Sequence, residues 1–271
     1  MRPSSLLLNV VPQNHPIFAH AISPMLSPSP SLTFVRPTTI LFDLDDTLFD
    51  HANTARAALA SSTADLPEFQ GVDLEVLYQQ YSEILEEMHP RVLAGEYSHL
   101  EARQIRFQRL LGPYGYATTP MAISQFVEQH YGSYQRLRRP VAGALVLLEA
   151  LKPHYRIGIV TNNRTAEQQE KLAQLGMTHL VDALITSEDV GIPKPDPRIY
   201  HVALERLQSR AAETVMVGDN WTADVIGALE VGIRPLWLNR FGATRPLINV
   251  EEITSLEPLA DTLRKITGQQ Y

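Results

Sequence analysis

Cysteine is absent from this 271-residue sequence. That excludes disulfides, thiol nucleophiles, thiolate zinc sites and iron–sulfur clusters, and it fits a reducing, cytoplasmic setting. No apolar run reaches the roughly 18 residues a membrane-spanning helix needs, so no membrane partner is predicted. Lysine is scarce, with only Lys152, Lys171, Lys194 and Lys265. Lys+Arg 23 against Asp+Glu 30 leaves a formal net charge of −7, which argues against gripping a nucleic-acid polymer by bulk charge. The rest is ordinary: 44% hydrophobic and 20% charged residues, close to a globular average. The length suits one or two domains and a core that needs no covalent staples.

Acidic residues are also missing before Asp43. Residues 1–37 hold seven of the 19 prolines and six serines, a composition that sustains neither a helix nor a packed core. Three readings fit. One is a disordered or loosely packed extension, with Met25 as a rival start. Another is an organelle transit peptide, Ser-rich and acid-free. The third is a secretory signal, which the short Leu6–Val11 run, broken by Asn9, supports least.

Beyond the extension the pattern is clearer. Thr38–Asp43 is a short β-rich run ending in carboxylates. Residues 51–137 read as helical: Leu74, Leu77, Tyr81 and Leu85 share one face, and Ile105, Leu110 and Leu111 share another. From Val141 the pattern alternates. Strands are predicted at Arg156–Val160, Ala183–Ile185, Thr214–Val217 and Pro235–Leu238. Helices are predicted at Leu145–Leu151, Ala166–Leu175, Pro197–Leu207, Ala223–Val231 and Leu256–Ile266. Short apolar strands alternating with helices imply an α/β fold with a mainly parallel sheet. The expected division is a core of 38–50 and 138–271, with 51–137 inserted as a helical subdomain.

Ligands of open α/β sheets bind at the carboxyl ends of the strands, and polar residues of catalytic type cluster there. The first strand ends in Asp43-Leu44-Asp45-Asp46-Thr47 and the second in Thr161-Asn162-Asn163. Lys194 follows the third, and Gly218-Asp219-Asn220 closes the fourth, with Asp224 just after. Singly, each has a plain alternative: an acidic turn, a helix N-cap, a solvated lysine. Jointly they make a site. Clustered carboxylates bind a hard cation such as Mg²⁺. One aspartate can attack phosphorus and another protonate the leaving oxygen. Thr161, nearby backbone N–H groups and Lys194 can neutralise the phosphoryl oxygens.

These four segments, in this order, resemble the four motifs of the haloacid dehalogenase (HAD) superfamily over about residues 38–240. Residues 187–200 and 215–239 look most like its nucleotidase and N-acylneuraminate-9-phosphatase branch. The resemblance implies a Rossmann-like core with a helical cap and a phosphatase working through a phosphoaspartate. It implies Asp43 as nucleophile and Asp45 as general acid/base. Mg²⁺ would be held by Asp43, the Asp45 backbone carbonyl and Asp219, with Asp224 in support. Thr161 and Asn162 would hold phosphoryl oxygens, and Lys194 would bridge them to Asp43. The expected substrate is a small-molecule phosphomonoester, a nucleotide or sugar phosphate, and the expected state a monomer or homodimer. A dehalogenase lacks the second aspartate, and a phosphonate hydrolase needs a cap lysine that this chain does not have. A phosphomutase and a non-catalytic binding protein on the same fold stay open. In 51–137 any anion reader must be an arginine or a backbone N–H. Arg106, three residues from Arg103 and next to Phe107, is the candidate substrate-binding residue.

Overall fold

The protein is seen in a computed structural model that describes residues 36–244, 246 and 249–269. The readings made for residues 1–37 therefore lie outside the described residues, except at Arg36 and Pro37. In chain order the elements begin with β1 (Thr39–Phe42), α1 (His51–Thr63), α2 (Leu74–Leu93), α3 (His99–Leu111), α4 (Pro120–Arg136) and α5 (Ala144–Leu151). There follow β2 (Arg156–Thr161), α6 (Thr165–Gln174), β3 (Ala183–Thr186), the short α7 (Ser187–Val190) and α8 (Pro197–Arg206). The chain closes with β4 (Thr214–Gly218), α9 (Gly227–Glu230), β5 (Arg234–Leu238), β6 (Glu251–Ile253) and α10 (Leu259–Thr267).

Among the described residues six strands form one sheet in the order β3-β2-β1-β4-β5-β6, and every pairing is parallel. Parallel strands must be covered on both faces, so their sequences are continuous apolar runs. Accordingly β1 and β4 are buried at every position. β1 lies centrally, with Phe42 level with Ile159 of β2 and Val217 of β4. That register brings the ends of three strands side by side, about 4.8 Å apart. The strand order reverses direction between β1 and β4, the crevice where such sheets bind ligands.

The helices between β1 and β2 start where their side chains cap them. Asp73 accepts from the first amides of α2, Thr119 caps α4 ahead of Pro120, and Ser98 and Glu101 form a reciprocal capping box on α3. Leu77, Tyr81, Phe107, Leu110 and Phe126 of these helices belong to one continuous apolar cluster with Ile40, Phe42 and Val217 of the sheet. Among the described residues no helix is long and apolar enough to cross a membrane.

Three local differences from the sequence-based expectation stand out. The helix predicted over Ala223–Val231 is a π-helical turn, Trp221–Ile226, running into α9. Within that turn the Ala223 carbonyl accepts the Tyr200 hydroxyl. β6 is an added edge strand; its two glutamates and three-residue length hide it from pattern reading. The last helix begins at Leu259 rather than Leu256, because Pro258 takes the N-cap position.

Candidate active site

β1 delivers Asp43, whose backbone N–H donates to Val217 O at 2.9 Å and so ties the strand end to β4. The chain then turns sharply. Asp46 takes a left-handed conformation (φ 58°), tolerated by an aspartate, and its carboxylate accepts the Ala52 amide at the start of α1. Phe49 N–H returns to Leu44 O, and none of the backbone bonds of this turn ends on the Asp45 carbonyl.

From the far side comes Lys194, buried, with its Nζ 2.6 Å from both Asp43 and Asp224. The Asn162 side chain fixes this loop: its Oδ1 accepts Lys194 N–H at 2.7 Å and its Nδ2 donates to Lys194 O at 2.9 Å. These two bonds tie the Asn162 side chain to the Lys194 backbone. Asp224 rises from the π-helical turn and also accepts Asn220 N–H at 3.0 Å. It lies so close to β4 that a Cβ on Gly218 would fall 2.3 Å from its carboxyl group, so only glycine fits at 218.

Oxygens of Asp43, Asp219 and Asp224 lie within 4.8 Å of one another. Burial lifts the Asp43 carboxyl to about 7; Lys194 opposes this and the Asp224 charge adds to it. Burial, then Asp43 and Asp224, push Asp219 well above the ordinary carboxylate range. Three clustered carboxylates, Asp43 and Asp224 buried and Asp219 half-buried, stand against one ammonium, an excess of negative charge that a divalent cation balances, and an all-oxygen donor set suits Mg²⁺. Asp224, expected as a support, thus joins Asp43 and Asp219 in one cluster.

Two residues that sequence reasoning passed over complete the site. Lys171, fully buried on α6, places its Nζ 2.5 Å from Asp45 Oδ1. Gln168, one turn earlier, donates to Asp45 Oδ2 at 2.9 Å and to Thr161 Oγ1 at 2.7 Å. Burial would raise the Asp45 carboxyl, but Lys171 and then His51 outweigh it and hold it well below the ordinary range. Because Gln168 can only donate through Nε2, the Thr161 hydroxyl accepts, and its own proton is free for a ligand. The signal for the pair was available: two polar residues three apart on the buried side of α6, beside Leu172.

Asp43, Asp45, Thr161, Asn162, Lys194, Asp219, Asp224 and Arg106 all line one cavity of about 530 Å³. Arg106 donates to the Tyr81 hydroxyl at 2.8 Å. The structure therefore brings together every residue singled out from the sequence.

The sequence model of the haloacid dehalogenase-like hydrolases matches residues 37–232. The chain belongs to that family. It is 30% identical over 206 residues to the glyceraldehyde 3-phosphate phosphatase of Methanothermobacter thermautotrophicus, covering 74% of this chain and 84% of the relative. It is 34% identical over 129 residues to the pyrimidine 5'-nucleotidase YjjG of Escherichia coli, covering 46% and 57%. Among solved structures, the magnesium-bound HAD-hydrolase YfnB of Bacillus subtilis superposes with a TM-score of 0.69 at 28% identity, covering 84% of this chain and 99% of that one. The HAD-like chain is thus a hydrolase, and its relatives include phosphatases.

Proposed function

We propose that this HAD-like hydrolase is a Mg²⁺-dependent phosphatase of small phosphomonoesters, sugar phosphates or nucleotides, that works through a phosphoaspartate on Asp43. The observation that carries the reading is the second carboxylate. Asp45 faces the same cavity as Asp43 and is held by Lys171 and Gln168. A hydrolase that only displaces a halide needs no acid at that place; one that expels an alkoxide does.

Asp43 attacks phosphorus as the ester P–O bond breaks, and the leaving oxygen takes a proton from Asp45. Because Lys171 keeps Asp45 ionised in the free protein, the proton that Asp45 passes on arrives with the substrate as the phosphoester monoanion, and Lys171 and Gln168 hold the carboxyl in place for the transfer. Water then attacks the phosphoaspartate, giving a proton back to Asp45 and releasing inorganic phosphate with Asp43 restored. The Thr161 hydroxyl, the Asn162 backbone N–H and the Lys194 ammonium bind the phosphoryl oxygens and offset their charge. Asp43, the Asp45 carbonyl and Asp219 would hold Mg²⁺, with Asp224 steadying them, and the ion would supply charge neutralisation at the phosphoryl group. Residues 51–137 act as the cap that meets the leaving group, with Arg106 among its substrate contacts.

Phosphate release from a panel of phosphomonoesters, assayed with Mg²⁺, tests the reading. Turnover of at least one member is expected. No phosphate from any of them, p-nitrophenyl phosphate included, overturns it. A phosphomutase would instead return the phosphoryl group to a sugar phosphate, seen by chromatography of the same reactions as isomerised product without phosphate.

A further inference from the structure

We infer that the cap side of the cavity is an anion subsite: Arg103 and Arg106 of α3 bind a second negatively charged group, a carboxylate or phosphate, on the substrate. The inference rests on the phosphomonoester reading above and narrows its substrate class to esters with a second anionic group.

Most arginines of this region are matched by a carboxylate. Arg56, Arg91, Arg109, Arg138 and Arg139 each have a carboxylate within 4.0 Å. Arg136 is exposed and bonded to Ser133. Arg103 and Arg106 have no carboxylate partner among the described residues, and both face the cavity. Aromatic rings hold them instead. The Arg103 guanidinium lies 4.3 Å from the centre of the Tyr131 ring, and that of Arg106 lies 5.2 Å from the centre of Tyr81. Stacking fixes the plane of a guanidinium without neutralising it. Arg106 spends one N–H on the Tyr81 hydroxyl, while its Nε is buried with no acceptor. A buried donor without a partner is costly unless a ligand completes it.

The catalytic floor does not supply the missing anion. Asp43 and Asp224 are taken by Lys194, and Asp45 by Lys171. Glu167 lies 3.8 Å from Lys171, and Glu86, also at the cavity, makes no ion pair with either arginine. The positive field of the pair is felt nearby: after burial, Arg106 and Arg103 are the main influences that keep His130 neutral. Two preorganised guanidinium forks three residues apart on one helix face suit a planar carboxylate or a phosphate, and a neutral leaving group would leave them uncompensated.

Calorimetric titration of Asp43→Asn protein with Mg²⁺ present, in which turnover is expected to be lost, tests this with matched pairs. One pair is 3-phosphoglycerate against glycerol 3-phosphate; the other is fructose 1,6-bisphosphate against fructose 6-phosphate. At least one member with two anionic groups is expected to bind at least about tenfold tighter than its twin with one. The pair showing the gap tells whether a carboxylate or a phosphate is read. Adding Arg103→Gln or Arg106→Gln should shrink the gap, whereas structural damage alone would weaken both twins together. Equal affinities within both pairs, or a gap that neither substitution narrows, would overturn the subsite. Turnover of p-nitrophenyl phosphate by the unmodified protein judges the phosphatase reading separately. An inactive chain that still prefers the twin with two anionic groups would keep the subsite and lose the chemistry.

Discussion

Replacing His130 by phenylalanine should make the fold less sensitive to acid. His130 sits on α4, 4% exposed, against Phe107 at 4.6 Å between ring centres and close to Tyr81 and Phe126. Its Nε2 is buried without a partner. Burial, reinforced by Arg106 and Arg103, lowers its pKa from 6.5 to about 3. The unfolded chain therefore takes up a proton at this residue between about pH 6.5 and 3, and the folded chain does not. Folding stability must fall as pH drops through that window. At pH 5 the folded side chain is still neutral, so the loss depends only on the unfolded value and comes to about 2 kcal/mol relative to pH 7.5. Phenylalanine fills nearly the same space, has no proton to bind and leaves no orphaned nitrogen. Urea unfolding of both proteins at pH 7.5 and pH 5.0 measures the effect as a difference of differences, in which other titrating groups cancel. The stability gap should move by about 2 kcal/mol in favour of the phenylalanine variant at the lower pH. Parallel losses in the two proteins would show that His130 is charged or solvated in the fold, and would remove the positive field argued for the two arginines beside it.

Asp45→Asn should slow hydrolysis of alkyl phosphates far more than that of p-nitrophenyl phosphate, whose leaving group needs no proton; equal losses on both, read as kcat, would count against the acid role. Activity should require Mg²⁺, and excess Ca²⁺ should inhibit, because Ca²⁺ prefers more and looser oxygen ligands than this compact cluster offers; full phosphate release in EDTA would contradict a metal-assisted site. Gly218→Ala should lower kcat by about a hundredfold by displacing Asp224 and, through it, Lys194. Its melting temperature should fall only modestly, and undiminished kcat would mean that Asp224 does not position the site.

Much of the site was legible because its chemistry sits at strand ends. A short apolar run followed by a polar residue declares both the strand and the side chain that leaves it. Asp43, Thr161 and Asp219 follow from that pattern, and the parallel register of β2, β1 and β4 brings them together. Lys171 and Gln168 were harder to read. They lie mid-helix on α6 and reach Asp45 only because that helix packs against the loop after β1, a tertiary fact with only a faint trace in the helical pattern. The use of Asn162 is likewise invisible in one dimension, since its partner is the backbone of Lys194. Between Arg91 and Arg139 the sequence displayed seven arginines without distinguishing them. Carboxylate pairing separates most from Arg103 and Arg106, and that pairing depends on how α2, α3 and α4 pack.

The central claim is that Asp43 carries the phosphoryl group during turnover. Rapid acid quench of the enzyme mixed with Mg²⁺ and p-nitrophenyl phosphate, followed by peptide mass spectrometry, tests it most directly. A phosphoryl adduct on Asp43 that forms and decays within the turnover time, and is lost in Asp43→Asn, is the predicted result. Full phosphate release by Asp43→Asn, or an adduct found on another residue, would contradict the account.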